Sequence, residues 1–213
     1  MKHKKVLETI YASLYKAFGQ QHWWPGDTPL EIAVGAILTQ NTSWTNVEKA
    51  IQNLKREKML SAQALHAIDP ESLAARIRPA GYFNIKARRL KNFIGFLMAE
   101  YRGSMKRMAR EDLQVIRYKL LSVNGIGQET ADSIILYALE RPVFVIDAYT
   151  KRIFSRHDIL NHDLPYEAFQ LLFHTGIRNE VQLFNEYHAL LVRLAKEFCR
   201  TTPCCSGCPL EGV

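Results

Sequence analysis

The sequence predicts an all-α protein, and three observations lead to this prediction. Helix-starting residues stand before several apolar stretches, as Asp69 and Pro70 do before one of them. The most β-like run, residues 142–146, is too short to build a sheet. Apolar residues recur at helical spacing along most of the 213 residues, and the first predicted helix places Val6, Ile10, Leu14 and Phe18 on one face.

The predicted helices follow one another with few long interruptions. Gly19 should end the first helix, and either Asn41 or Thr42 should cap the third. Asn84 should cap a strongly basic helix whose exposed side carries Lys86, Arg88, Arg89 and Lys91. By residue number, we expect helices over 5–18, 29–38, about 42–54, 70–77, 84–97, 111–121, 147–153, 166–173 and 180–198, with one more after residue 127.

Charge and composition limit the class of protein. A hydrophobic content of 47% is enough for a sizeable core, and a formal charge of +7 suits a polyanionic partner, although ordinary surface charge is the alternative. No signal-like leader opens the chain, and no apolar run approaches the roughly 18 to 20 residues that span a bilayer. No GxxxxGK sequence supports nucleotide hydrolysis. We therefore expect a cytoplasmic protein with no membrane partner.

A glycine-bracketed turn joins two predicted helices in the stretch LLSVNGIGQETADSII. Gly125 and Gly127 flank Ile126, which should anchor the turn in the core, and glycine permits positive φ and close backbone approach. Backbone N–H groups at the start of the second helix could then bind a DNA phosphate. An ordinary connection between helices is the alternative, because this spacing alone is weak evidence.

The stretch VNGIGQETADSIILYAL, followed by VIDAY, resembles the helix-hairpin-helix, loop and aspartate of the endonuclease III superfamily of base-excision DNA glycosylases. LTQNTSW, PAGYFNIKARRL and a cysteine-rich C-terminal stretch all fall in the superfamily's order. HWWPGD, ILTQNT and PAGYFNIKARRL are most similar to bacterial 3-methyladenine DNA glycosylase III. The resemblance implies two helical domains that flank an active-site cleft: a six-helix domain over residues 29–137, and a second over residues 1–28 and 138–213. It also implies a nucleoid-associated monomer that binds double-stranded DNA.

Asp147 matches the catalytic aspartate of the superfamily. When an N-glycosidic bond breaks, positive charge develops on the sugar, and a fixed carboxylate can stabilise that charge or orient the attacking water. A helix N-cap is the alternative role, because a predicted helix begins at this residue. Both roles are compatible, since the positive end of a helix favours an ionised carboxylate.

Glu129 determines which reaction the resemblance implies. Bifunctional members of the superfamily carry a lysine two residues beyond the second hairpin glycine, and here that residue is Glu129. A carboxylate cannot form the imine through which those members cut the DNA backbone. We therefore predict a monofunctional glycosylase that leaves an abasic site and lacks AP-lyase activity.

The resemblance also implies contacts with DNA and with the excised base. Gln40 matches the polar residue that enters the gap left by a flipped nucleotide, although it could simply end a helix. Trp24 and Trp44 match aromatic positions of the base pocket, where an indole would attract a charged alkylated purine, although both could be packing residues. The expected DNA contacts are Gln40, Asn124, Gly125, Ile126, Gly127 and Thr130, with phosphate contacts from Lys86 and Arg88 unless that helix face is only solvated.

Four cysteines lie close together near the C-terminal end, which indicates a metal site in a protein expected to be cytoplasmic. Cys199, Cys205 and Cys208 follow the superfamily's order for a [4Fe-4S] cluster, and zinc is the chemical alternative. The fourth cysteine of that pattern would follow Val213 directly. Either Cys204 takes its place, or the natural protein continues and carries the last ligand there.

Taken together, the residues and the resemblance predict a glycosylase that removes an alkylated purine from DNA. An endonuclease III-like glycosylase for pyrimidine lesions is the alternative within the enzyme class, since the cysteine cluster is typical of that branch. A DNA-binding protein that kept the hairpin and lost the chemistry is the alternative outside it.

Overall fold

The computed structural model describes residues 2–212, and within them it contains helices and no strand, which confirms the predicted all-α fold. The helices are α1 (Lys2–Phe18), α2 (Pro29–Leu38), α3 (Trp44–Arg56), α4 (Ala62–Ala67), α5 (Pro70–Arg76), α6 (Phe83–Tyr101), α7 (Met105–Met108), α8 (Leu113–Ser122), α9 (Gln128–Ser133), α10 (Ala148–Arg156), α11 (Tyr166–Gly176) and α12 (Val181–Glu197). A 3-10 turn (Arg78–Ala80) precedes α6, and a π-helical stretch (Ile134–Ala138) continues α9.

The chain forms two compact units. The central unit is Pro25–Arg141, which contains α2 to α9, and the terminal unit combines the residues up to Trp24 with those from Pro142 onward. No helix in the described residues is both long and apolar enough to cross a membrane.

In the central unit, α6 is the longest helix and packs against α2, α4, α5 and α7. Its buried apolar residues recur three and four positions apart, so they form one continuous face: Ala87, Leu90, Phe93, Ile94 and Leu97. Helix α2 is buried from Ala33 to Leu38, as its small and apolar residues predict. It packs against α3, α6, α9 and the π-helical stretch, which brings the end of α2 close to the hairpin.

In the terminal unit, α12 packs against α1 and α10, and α1 also packs against α11. The core is aromatic: the rings of Phe144 and Phe173 stack with centroids 3.6 Å apart, and Tyr187 meets both rings edge-on. Residues 142–146 run without regular structure, and four of them are buried apolar residues: Val143, Phe144, Val145 and Ile146. This buried segment fixes the position of Asp147, which follows it.

Several predicted helix limits agree with the structure, and others are wrong. Helix α2 has the predicted bounds, and Gly19 follows α1 with a φ of +66°. The predicted cap at Asn84 is wrong, because α6 already begins at Phe83 after a left-handed Tyr82. Ser43, not Asn41 or Thr42, precedes α3. Helices α4 and α7 were not predicted, because four to six residues are too few to show a periodicity.

Candidate functional site

The hairpin between α8 and α9 contains one position that favours glycine and one buried anchor. Gly125 has a φ of +95°, a conformation that side chains disfavour. Ile126 is only 5% exposed, and its N–H donates to the Val123 carbonyl over 3.0 Å, so it anchors the turn as expected. Gly127 has a φ of −92° and caps α9. The two glycines therefore differ: the positive φ at residue 125 favours glycine, whereas the φ at residue 127 is open to other residues.

The outer side of this turn is open. Asn124, Gly127 and Glu129 are exposed, and no atom lies within 4 Å of the position that a Cβ on Gly127 would occupy. A ligand can therefore approach the backbone at the start of α9 closely. This geometry suits a phosphate, because the N-terminal end of a helix carries partial positive charge and outward N–H groups.

The side chain of Gln40 is bonded to the hairpin. Its Nε2 donates to Thr130 Oγ1 over 2.8 Å and to the Gly125 carbonyl over 3.2 Å. Its Oε1 accepts a hydrogen bond from the Arg89 guanidinium. The stem of Arg89 lies against Gly125, so closely that a Cβ on Gly125 would collide with it. Asn92 adds a 3.0 Å hydrogen bond to the Asn124 carbonyl. Helix α6 therefore contacts one side of the turn. Gln40 links α6 to the turn, because it bonds Arg89 of α6 as well as the Gly125 carbonyl.

The prediction that Lys86 lies on the exposed side of its helix is wrong. Lys86 is 1% exposed, and its Nζ donates to the carbonyls of Leu38 at 2.9 Å and Ala80 at 2.7 Å. Burial lowers the pKa of Lys86 to about 8, with a further contribution from the charge of Arg89. An amine committed to two buried carbonyls cannot reach a DNA phosphate. Lys86 instead joins the end of α2 to the turn before α6.

Two more of the four basic residues on α6 are also used inside the central unit. Arg89 bonds Gln40, and Lys91 donates to three carbonyls at the end of α4: Leu65, His66 and Ile68. Arg88 is exposed and stays a candidate for phosphate contact. The charge pattern of α6 could not show which basic residues bond internally and which stay exposed, because a backbone carbonyl partner leaves no signature in the sequence.

Asp147 caps α10 with one carboxylate oxygen, and its other carboxylate oxygen faces His188. Its Oδ1 accepts from the Thr150 N–H at 2.7 Å and from the Thr150 hydroxyl at 2.9 Å. Its Oδ2 lies 3.6 Å from Nε2 of His188, and the two side chains are only 12% and 7% exposed. Burial alone would raise the pKa of Asp147, but His188 and the Thr150 donors lower it below its usual value. The site therefore holds an ionised carboxylate in a largely dry environment.

His188 and Arg89 are site residues that sequence reasoning missed. No site role was predicted for His188, and Arg89 was expected on the exposed side of its helix. The structure places His188 on α12 beside Asp147, and Arg89 between Gln40 and Gly125. Their partners are distant in sequence, so no local pattern indicated either contact.

The two predicted pocket tryptophans are each half-buried in their own unit. Trp24 ends the N-terminal segment of the terminal unit, and its ring lies 5.0 Å from that of Trp23. Trp44 is the first residue of α3 in the central unit. Each therefore keeps part of its indole surface accessible.

The cysteine segment is attached to α10. Arg152 donates to the Cys199 carbonyl at 2.8 Å, and Arg156 donates to the Arg200 carbonyl at 2.6 Å and lies 3.4 Å from Cys199 Sγ. Cys199 is buried and Cys208 half-buried. Burial raises the pKa of the Cys208 thiol, and nearby Cys205 and Cys199 raise it further.

As they lie, the cysteines do not fit a metal cluster. Within residues 2–212, no three cysteine, histidine or acidic side chains are arranged to hold one metal ion. Cys204 and Cys205 are both exposed. The fourth predicted position, directly after Val213, lies outside the described residues.

Comparisons with known proteins agree with this arrangement. A family model for the "HhH-GPD superfamily base excision DNA repair protein" matches residues 34–178. A Methanocaldococcus jannaschii protein named "Putative DNA repair glycosylase" is 46% identical over 99% of this chain and 97% of its own length.

Two solved structures have the same fold. The H. pylori 3-methyladenine DNA glycosylase bound to 1,N6-ethenoadenine is 28% identical, with a TM-score of 0.79 over 92% of this chain and 97% of its own. An endonuclease III–DNA complex superposes with a TM-score of 0.82 over 98% and 96% of the two chains, at 20% identity. The family match covers more than half of the sequence, and it agrees with the hairpin and Asp147 described above. The chain belongs to the HhH-GPD superfamily of base excision DNA repair proteins, as its motifs predict.

Proposed function

We propose that the protein is a monofunctional DNA glycosylase that hydrolyses the N-glycosidic bond of an alkylated purine in duplex DNA and leaves an abasic site. The observation that carries this proposal is the buried Asp147 carboxylate, which uses Oδ1 as a helix cap and leaves Oδ2 for chemistry. The membership in a base excision repair superfamily supports the reaction class.

The chemistry follows from the charge of the carboxylate. As the base departs, the sugar acquires oxocarbenium character, and Asp147 stabilises it electrostatically or orients the attacking water. A low local dielectric strengthens this interaction. A purine alkylated at N3 or N7 is already cationic and a good leaving group, so its release needs no strong general acid. The similarity to a 3-methyladenine glycosylase supports this substrate class.

DNA is held at the hairpin of the central unit. The open backbone at Gly127 binds a phosphate, and exposed Arg88 contacts another. Gln40 fills the space left when the damaged nucleotide leaves the stack. To do so it must exchange its bonds with Thr130 and Gly125 for bonds with DNA. Either tryptophan, Trp44 of the central unit or Trp24 of the terminal unit, offers an aromatic surface to a cationic base, an attraction worth roughly 0.5 to 2 kcal/mol.

The absence of AP-lyase activity is proposed from Glu129, which is exposed at the start of α9. A Glu129→Lys variant tests this position. We expect it to form a covalent complex with an abasic duplex that borohydride traps, whereas the unmodified protein and a Glu129→Gln control form none. Trapping by the unmodified protein would contradict the monofunctional assignment.

The [4Fe-4S] cluster, or zinc as its alternative, stays a prediction, and no catalytic step depends on it. Cys199, Cys205 and Cys208 follow the superfamily's order, but the cysteines as placed do not form a ligand set. An iron, sulfide and zinc assay on the purified protein, with its visible absorption spectrum, tests the prediction.

A panel of DNA substrates tests the proposed function. Purified protein is incubated with methylated duplex DNA and with duplexes that contain 1,N6-ethenoadenine, uracil, thymine glycol or mismatched thymine. We expect release of alkylated purines and loss of that activity in Asp147→Asn. Release of only pyrimidine lesions would favour the endonuclease III-like alternative. No release from any substrate would favour a DNA-binding protein without catalysis.

A further inference from the structure

We propose that His188 is a positioning residue that holds Oδ2 of Asp147 in place and keeps the carboxylate ionised. The proposal rests on the proposed function, because it concerns the same carboxylate. His188 belongs to α12, whereas Asp147 starts α10, and the two helices pack against each other. The pair therefore joins the candidate catalytic group to a helix that is otherwise structural.

The two oxygens of the Asp147 carboxylate have separate partners. The N–H and the hydroxyl of Thr150 both donate to Oδ1, which fixes that oxygen at the N-terminal end of α10. Oδ2 instead faces Nε2 of His188 at 3.6 Å. This distance is longer than a good hydrogen bond, but such bonds in free enzymes often shorten when substrate binds. Two side chains from two helices thus determine the rotation of one carboxylate.

The packing around α12 restrains the position of the His188 side chain. Its neighbour Tyr187 is fully buried and donates its hydroxyl to the Leu7 carbonyl at 2.9 Å, which ties α12 to α1. The Phe144 ring meets the imidazole edge-on, with centroids 6.4 Å apart. Because burying an imidazole among aromatic rings is unfavourable without a polar partner, the packing alone does not explain a histidine here. Asp147 supplies such a partner.

The groups around the pair indicate how His188 acts. Thr150 and His188 face the carboxylate, and Phe144 is apolar. Tyr187 stays protonated because burial raises its pKa well above 10.0, so it adds no charge. His188 opposes the effect of burial on Asp147, which would otherwise favour the neutral acid. A neutral Asp147 could not stabilise an oxocarbenium-like sugar.

Three variants test this proposal. His188→Phe keeps an aromatic side chain but removes the polar partner, and His188→Gln keeps an N–H donor. His162→Gln is the control, because His162 faces Asp163 at 3.5 Å in an exposed pair. For each protein, the titration of Asp147 is followed by NMR with carboxyl-labelled aspartate, and its signal is assigned by its loss in Asp147→Asn. Melting temperatures show whether each variant folds.

We expect His188→Phe to move the titration midpoint of Asp147 to higher pH and His162→Gln to leave it unchanged. Single-turnover base release should slow about tenfold to a hundredfold in His188→Phe at unchanged DNA affinity, and His188→Gln should recover most of the rate. An unchanged Asp147 titration in His188→Phe would overturn the proposal. If His188→Phe does not fold, His188→Leu, which also removes the polar partner, decides in the same way.

The titration also separates this proposal from the proposed function. If the unmodified protein releases no base from any duplex, the glycosylase assignment fails. A shifted Asp147 titration in His188→Phe would then still establish the pairing. If base release is normal but the titration does not respond to His188, only the pairing fails.

Discussion

The starts of α5 and α10 look alike in sequence and differ in what surrounds them. Asp69 caps α5 through a 2.8 Å bond from the Ser72 N–H, and Asp147 caps α10 through a 2.7 Å bond from the Thr150 N–H. Asp69 is exposed, whereas Asp147 is largely buried and faces His188. A capping aspartate becomes a candidate catalytic group only where the fold removes water and adds a second partner.

The largest expected effect separates these two aspartates. Asparagine caps helices as well as aspartate does, so Asp147→Asn and Asp69→Asn should both fold. We expect Asp147→Asn to slow single-turnover base release by about a hundredfold or more, because the negative charge is lost. Asp69→Asn should release base at the unmodified rate. Equal rates in the two variants would show that Asp147 is only a cap.

The two hairpin glycines provide a second contrast. An alanine at Gly125 is strained by positive φ and collides with Arg89, so we expect Gly125→Ala to lose about 1 to 3 kcal/mol of unfolding free energy in urea titrations. Gly127→Ala meets no atom and should keep its stability. Its DNA affinity should fall about tenfold, because the methyl group obstructs the approach of a phosphate. Unchanged affinity would remove Gly127 from the proposed phosphate site.

The buried Lys86 and the exposed Arg88 on α6 provide a third contrast, and Lys86 is tested through the pH dependence of stability. The unfolded chain keeps this proton up to about pH 10.5 and the folded chain only up to about pH 8. Because the unfolded state holds more protons across that window, stability should rise with pH there, relative to Lys86→Met, by about 1 to 3 kcal/mol. Urea unfolding at pH 7 to 10.5 measures this difference. If the stability of the two proteins changes with pH in parallel, the pKa of Lys86 is not lowered by burial.

Arg88 should give the smallest effect. We expect Arg88→Ala to weaken DNA binding a few-fold and to lower the slope of log affinity against log salt by about one, as one lost phosphate contact predicts. Arg110→Ala, an exposed cation that follows α7, serves as the control. If both variants bind alike, Arg88 is a solvated cation and not a phosphate contact.

Much of the fold was predictable because its signals are local. The bounds of α2, the cap at Asp147 and the anchor Ile126 follow from spacing, capping chemistry and a glycine turn within a few residues. Lys86 was misplaced because helical period alone cannot show that carbonyls of Leu38 and Ala80 receive its amine.

The candidate site was less predictable than the helices. His188 reaches Asp147 only because α12 packs on α10, and Arg89 reaches Gln40 only because α6 lies beside the hairpin. Both contacts depend on tertiary packing between elements distant in the chain. A periodicity analysis finds the helix but not the partner of each polar side chain.

The most direct test of the account is to follow the free base and the DNA strand in one reaction. A duplex with a single N3-methyladenine, which is cationic, is incubated with the protein, and the strand is examined before and after alkali. We expect released base, a strand that stays intact until alkali cleaves it at the abasic site, and neither product with Asp147→Asn. Strand cleavage without alkali, or base release that persists in Asp147→Asn, would contradict it.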